Sequence, residues 1–262
     1  MRKTAATLIL AIALLPVLSS IPTASGGFFG LAENYQFTEE AVIAYIEHLN
    51  NDGILSITRY LLPPPREELR LVSIIHSALK RTGIKNPDKH IAVIRTWGTI
   101  TIIAKKTELS DSDILKIKEF CKERLFDIVY YHGVKKDEVN IYNRFKEPIY
   151  YNLVSQIMDE EKRAALYKNY TFDITSVTDD RPFFFHFLKW NKITEVYRIF
   201  GEKWQIFIEG GYLLPIIFIQ ALAASAVFIV LPLFIKQGRM LFTQKKETIK
   251  YLGYFFFIGI AF

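Results

Sequence analysis

The chain has 262 residues, of which 50% are hydrophobic and 23% charged, with 33 Lys and Arg against 27 Asp and Glu. That charged fraction excludes a largely disordered chain, and it excludes a bundle made only of membrane spans. The mean hydropathy is nonetheless positive, at +0.15, so apolar and charged residues must be segregated along the sequence.

The segregation starts at the N-terminus. No charged residue lies between Thr4 and Ala32, and Arg2 and Lys3 precede an apolar run over 5–18. Small residues follow at Thr23, Ala24 and Ser25. This is the order of a signal peptide or signal anchor, and a buried strand of a domain that begins further upstream gives the same pattern. Residues 1–26 are therefore read as one apolar N-terminal segment.

Thr38 is placed to cap a helix whose first turn carries Glu39 and Glu40, where the helix dipole favours negative charge. Ala41, Ile43, Ile46 and Leu49 form its apolar side, and the run from Asn50 to Gly53 stops it. A short strand is predicted over 54–60, followed by an extended Pro63-Pro64-Pro65 linker. The next helix is predicted over 66–82, with Leu69, Val72, Ile75, His76 and Leu79 on one side and Gly83 as its stop. Two strand-like runs, 91–95 and 99–105, flank Thr96-Trp97-Gly98 and predict a hairpin. Ser110 and Asp113 form a capping box for a helix that carries Cys121 at apolar spacing. As the single cysteine, Cys121 excludes an internal disulfide framework, and an inert buried thiol is expected there. A strand over 126–131 and one helix over 148–168 complete the predicted regular elements of the middle.

Beyond Trp190 the composition changes again. Residues 210–235 carry no charge. A run of that length can cross a bilayer, which takes ~20 apolar residues as a helix. Lys236, Arg239, Lys245, Lys246 and Lys250 follow it against Glu247 alone, which places that loop in the cytoplasm. A truncated second span is read over 251–262. The expected organisation is thus the N-terminal segment, an α/β domain over 27–204 and a membrane region over 205–262, in an integral protein of the cell membrane.

Several blocks carry a family resemblance. GGFFGLAENYQFTEEAVIAYIEHLNNDGILSITRY resembles the stretch after the fourth strand of spermidine synthase-like proteins, and RTWGTITIIAKK resembles their terminal hairpin. VTDDRPFFFHFLKW, followed by GGYLL and apolar runs, is similar to the membrane-embedded branch of that family. The resemblance implies the C-terminal half of a doubly wound, Rossmann-like methyltransferase sheet with an antiparallel terminal hairpin, followed by a transmembrane helix. It implies S-adenosylmethionine or its decarboxylated form as cofactor only if the parent protein is complete. For this chain no cofactor is expected, because the glycine turn after a first strand and its acidic ribose partner are lacking. The Gly26-Gly27-Phe28-Phe29-Gly30 cluster has no acidic partner strand behind it. The aspartate-rich gate of true aminopropyltransferases is also lacking.

Glu33 and Tyr35 match the family's acidic-aromatic element and are candidate substrate-binding residues, as are Asp179 and Asp180, which suit an amine or a metal. The alternative for the pair is a capped turn with an internal ion pair to Arg181. The five histidines show no metal-ligand spacing, and basic residues are mixed with acidic ones, so no nucleic-acid partner is expected. Expected partners are the lipid bilayer and either further transmembrane helices or a missing N-terminal half. Three functions remain open: an incomplete membrane-tethered transferase-like protein, a non-catalytic membrane scaffold, and part of a transporter. In all three the chain partitions with membranes and resists carbonate extraction; recovery in the soluble fraction without detergent would contradict the span.

Overall fold

A computed structural model describes residues 32–61, 63–200, 213–225, 227–228, 250 and 253–254. The chain divides into two compact units, Met1–Tyr212 and Leu213–Phe262. In the first, helix α1 (Glu39–His48) leads to strand β1 (Ile54–Tyr60) and helix α2 (Glu67–Arg81). Strands β2 (Ile91–Arg95) and β3 (Thr99–Lys105), helix α3 (Asp111–Arg124) and strand β4 (Asp127–Tyr130) follow. Helices α4 (Ile149–Met158), α5 (Glu160–Asn169) and α6 (Ile193–Phe200) complete the unit.

Local chemistry sets most of these boundaries. The Thr38 hydroxyl accepts the Ala41 N–H at 3.1 Å and starts α1. Gly53 lies so close to the end of α1 that a side chain there would meet Leu49 Cβ at 2.8 Å. Gly83 follows α2 with φ of +90°, a conformation that costs glycine little. Ser110 and Asp113 close the capping box of α3, and Lys105 holds Asp113 at 2.9 Å. The hydrogen bonds from Lys105 and Ser110 draw the Asp113 carboxyl down to about 2.

The sheet has the order β1-β3-β2-β4, and every pairing between these strands is antiparallel. The predicted hairpin is present, with Ile94 opposite Thr101 and Thr96 N–H bonded to Thr99 O at 2.8 Å. The fold is mixed α/β. The described strands form no parallel ladder, the only parallel pairing among them being an isolated bridge between Ile128 and Val139. β2, flanked on both sides, is buried at all five positions, whereas β1 alternates between exposed and half-buried residues.

Helix α2 is the hub. Leu69, Leu71, Val72, Ile74, Ile75, Ala78 and Leu79 are all fully buried, as is the Ile100, Ile102 and Ala104 face of β3. Burying one such side chain contributes about 1.5–3 kcal/mol before the opposing chain entropy. The other sheet face packs Ala92, Ile94 and Ile128 against Cys121, Ile114 and Ile117. Cys121 is buried as expected, and burial pushes its thiol up to about 11, away from nucleophilic character at neutral pH. His76 is likewise a buried core residue, its Nε2 lying 3.0 Å from Arg163 Nη2. Burial, reinforced by Arg163, lowers its pKa to about 4.

The single helix predicted over 148–168 is two. Asp159 leaves the helical conformation, and its carboxylate caps α5 by accepting the N–H groups of Glu161 and Lys162 at 3.1 and 3.2 Å. Arg163 then reaches back to the carbonyls of Ile157 and Met158, which satisfies the end of α4.

In the second unit, helix α7 (Leu213–Ser225) lies within the uncharged run. Among the described residues no helix is long and apolar enough to cross a membrane, α7 having 13 residues. The rest of the predicted span, most of the second apolar run over 251–262 and the N-terminal segment lie outside the described residues.

One buried charge generates a stability prediction. Glu68, in the first turn of α2, is fully buried, and its Oε1 has no hydrogen-bond partner. Burial lifts its carboxyl to about 7, against the opposing hydrogen bonds and the pull of Arg66. Between the ordinary glutamate value of 4.5 and about 7, the folded chain therefore keeps a proton that the unfolded chain has lost. The contribution of this group is full below 4.5 and declines as pH rises through that window. In urea denaturation, stability should fall between about pH 4.5 and about pH 7, and Glu68→Gln should flatten that fall. An unchanged slope in the variant would assign the effect elsewhere.

Candidate functional site

The two pairs of residues singled out in sequence come together. A 3-10 turn over Tyr35–Phe37 is capped by Asn34, whose side chain accepts the Gln36 N–H at 3.1 Å. Two backbone hydrogen bonds pin this region to the 177–182 segment. Asn34 N–H donates to Pro182 O at 2.6 Å, and Glu39 N–H donates to Val177 O at 2.9 Å. Asp179 N–H adds a third, to Glu40 Oε2 at 3.0 Å. Glu33 and Tyr35 thus share one surface with Asp179, and Asp180 follows on the same exposed turn.

The surface is acidic. Tyr35 is 53% exposed and donates its hydroxyl to Glu33 Oε2 at 2.9 Å. That hydrogen bond, followed by partial desolvation and the charges of Glu33 and Asp179, raises its phenol above the usual value. Glu39 and Glu40 share one cation, Arg81, at 2.9 and 2.6 Å. For Glu40, burial works to raise the carboxyl, but the hydrogen bonds from Arg81 and Asp179 outweigh it and the net direction is down. Among the described residues, Glu33, Asp179 and Asp180 have no such cation. The ion pair expected between the aspartates and Arg181 is not formed among the described residues. The turn closes through Arg181 N–H to Thr178 O, at 2.9 Å, and Arg181 lines a separate cleft.

Beneath the surface lies an aromatic floor that sequence reasoning did not assign. Phe37 packs on Phe184 with ring centroids 4.7 Å apart. The Arg59 guanidinium sits 5.4 Å from the Phe37 ring, 5.8 Å from Phe184 and 5.6 Å from Phe185, and is paired with buried Glu67. The available signal was Arg59 itself. It shares a strand face with Leu55 and Ile57, toward the core, where an unpaired cation would be costly.

Comparison with family models, with curated proteins and with solved structures returns no match. Function therefore rests on the geometry. Three carboxylates and a phenol on an exposed surface suit a cation that carries N–H donors. Among the described residues no group of three or more His, Cys, Asp and Glu could hold a metal ion. The Gly26–Gly30 cluster lies outside the described residues.

The Tyr35–Glu33 bond has a direct readout. In NMR titration of ring-labelled tyrosines, Tyr35 should ionise above the usual value of 10, and Glu33→Gln should bring it down. An unmoved titration would show that the pair is not formed in solution.

Proposed function

We propose that this chain is a membrane-anchored, spermidine synthase-like protein whose acidic surface at Glu33, Tyr35, Asp179 and Asp180 receives an amine. The convergence of the two candidate pairs carries this reading. They come from two distant blocks of the resemblance, and hydrogen bonds from Asn34, Glu39 and Asp179 join them. The strand order β1-β3-β2, with its antiparallel terminal hairpin, also suits the C-terminal half of a Rossmann-like sheet. The exposed Ile217, Phe218, Ile219 and Leu222 of α7 suit a lipid environment.

Transferase chemistry in this reading needs a cofactor-binding half beyond the described residues. Among the described elements, no strand passes through a glycine-rich turn into a helix. β1 enters α2 through prolines, and β3 enters α3 through Ser110. The chain then acts as the amine-receiving portion of a transferase-like assembly.

Calorimetry on the full chain in detergent tests the proposal, with putrescine and S-adenosylmethionine as separate titrants. Putrescine should bind saturably, with affinity lowered about tenfold or more in Asp179→Asn, as expected for loss of a charge-assisted hydrogen bond. S-adenosylmethionine should not bind appreciably. Absent putrescine binding would remove the amine reading, and saturable micromolar binding of the nucleoside would show that the chain holds its own cofactor site.

A further inference from the structure

We propose that a second cleft, on the 173–186 segment and distinct from the acidic surface, binds a small oxyanion of the phosphate type. The cleft has a volume of about 230 Å³, and its polar lining includes Arg70, Ser176, Thr178, Arg181 and His186. Asp173 and Thr175 line it as well, whereas Asp179 and Asp180 do not.

The charges there do not balance. Arg70 is buried, and its two terminal nitrogens are committed. Nη1 donates to the carbonyls of Phe183 and Phe184 at 3.2 and 2.7 Å, while Nη2 donates to the Asp173 carbonyl and lies 3.4 Å from the Asp173 carboxylate. Its Nε is buried with no hydrogen-bond partner among the described residues, so Arg70 is a fixed positive backdrop with one unsatisfied donor. Asp173 is the one carboxylate lining the cleft, and it also accepts the Thr175 hydroxyl and N–H, at 2.6 and 3.0 Å.

Arg181 adds a second guanidinium to the same wall. It is exposed, and among the described residues no carboxylate lies within ion-pair distance of it. The two guanidiniums repel: Arg181 works with burial to lower the Arg70 pKa to about 10, against the pull of Asp173. Lys189 also interacts with both Asp173 and Arg70, whereas nearby Glu195 is bonded to Lys192 and Thr171 at 2.7 Å each. Two guanidiniums, Arg70 and Arg181, therefore line the cleft against one carboxylate, with the hydroxyls of Ser176 and Thr178 beside them. A dianionic oxyanion relieves that repulsion, with Arg181 as its forked donor and the hydroxyls as further partners. The inference does not rest on the amine reading, because the two sites use different residues.

The ligand chemistry can come from a free phosphate or from a lipid headgroup, and two arms separate these sources. In the first, inorganic phosphate is titrated calorimetrically into the full chain in non-ionic detergent. In the second, the chain is reconstituted into nanodiscs of phosphatidylcholine with or without phosphatidic acid, and lipid association is read by native mass spectrometry. Saturable binding in either arm that weakens at least about tenfold in Arg181→Gln, partly returns in Arg181→Lys and declines with added salt supports the site. Phosphate binding alone assigns a free ligand, and retention of phosphatidic acid alone assigns a headgroup. Thermal melting of Arg181→Gln should match the parent chain, because the residue is exposed. Absence of binding in both arms, or binding that Arg181→Gln leaves unchanged, overturns the proposal.

Discussion

The Arg70 guanidinium is the group around which the 172–188 segment is organised. That segment forms no strand or helix over most of its length, so its carbonyls have no ladder to join. Arg70 projects from the buried helix α2 and binds three of them, at Asp173, Phe183 and Phe184. Its guanidinium also lies 4.5 Å from the Phe187 ring. A buried guanidinium is expensive to desolvate, and removing partners from such a group is strongly destabilising. The charge is tolerated because carbonyl dipoles, a carboxylate and an aromatic face surround it. Both proposed surfaces draw on this arrangement: the acidic surface uses the middle of the segment, at 177–182, and Arg70 itself lines the cleft.

The same logic recurs elsewhere on α2. Glu67 is buried against Arg59, whose guanidinium closes the floor of three phenylalanines. The Arg66 guanidinium lies 5.6 Å from the Phe172 ring. Buried charged and aliphatic side chains thus alternate in the N-terminal half of the helix, and aliphatic ones dominate the rest. Ion-aromatic packing of this kind fixes relative orientation more stringently than aliphatic packing, because both distance and ring plane matter.

Much of the local architecture was legible in sequence because it rests on neighbouring residues. The Thr38 cap, the Ser110–Asp113 box, the Gly83 stop and the Thr96-Trp97-Gly98 hairpin each need only a few consecutive side chains. Arg66, Glu68 and Arg70 were not legible. Arg66 and Arg70 lie off the apolar stripe of α2, whereas Glu68 falls on it in line with Val72 and Ile75, yet all three are buried in the fold. The break at Asp159 had a signal in Asp159-Glu160-Glu161, a cap followed by an acidic first turn. The meeting of Glu33 and Tyr35 with Asp179 was visible only as separate candidates, since the pairing depends on backbone hydrogen bonds between segments far apart in the chain.

The Asp127 carboxylate follows a different strategy. It is fully buried and 3.2 Å from Arg95, and it accepts three consecutive backbone N–H groups, from Ile141, Tyr142 and Asn143. Arg95 in turn binds the Asn140 side chain and the Asn143 carbonyl, and Phe145 packs over its guanidinium at 4.6 Å. A loop with no regular structure is thus anchored by the carboxylate that begins β4, together with its Arg95 partner. Its amide hydrogens should exchange with solvent deuterium as slowly as those of a strand, so a protection map would mark 141–143 as part of the rigid body and not as a connection.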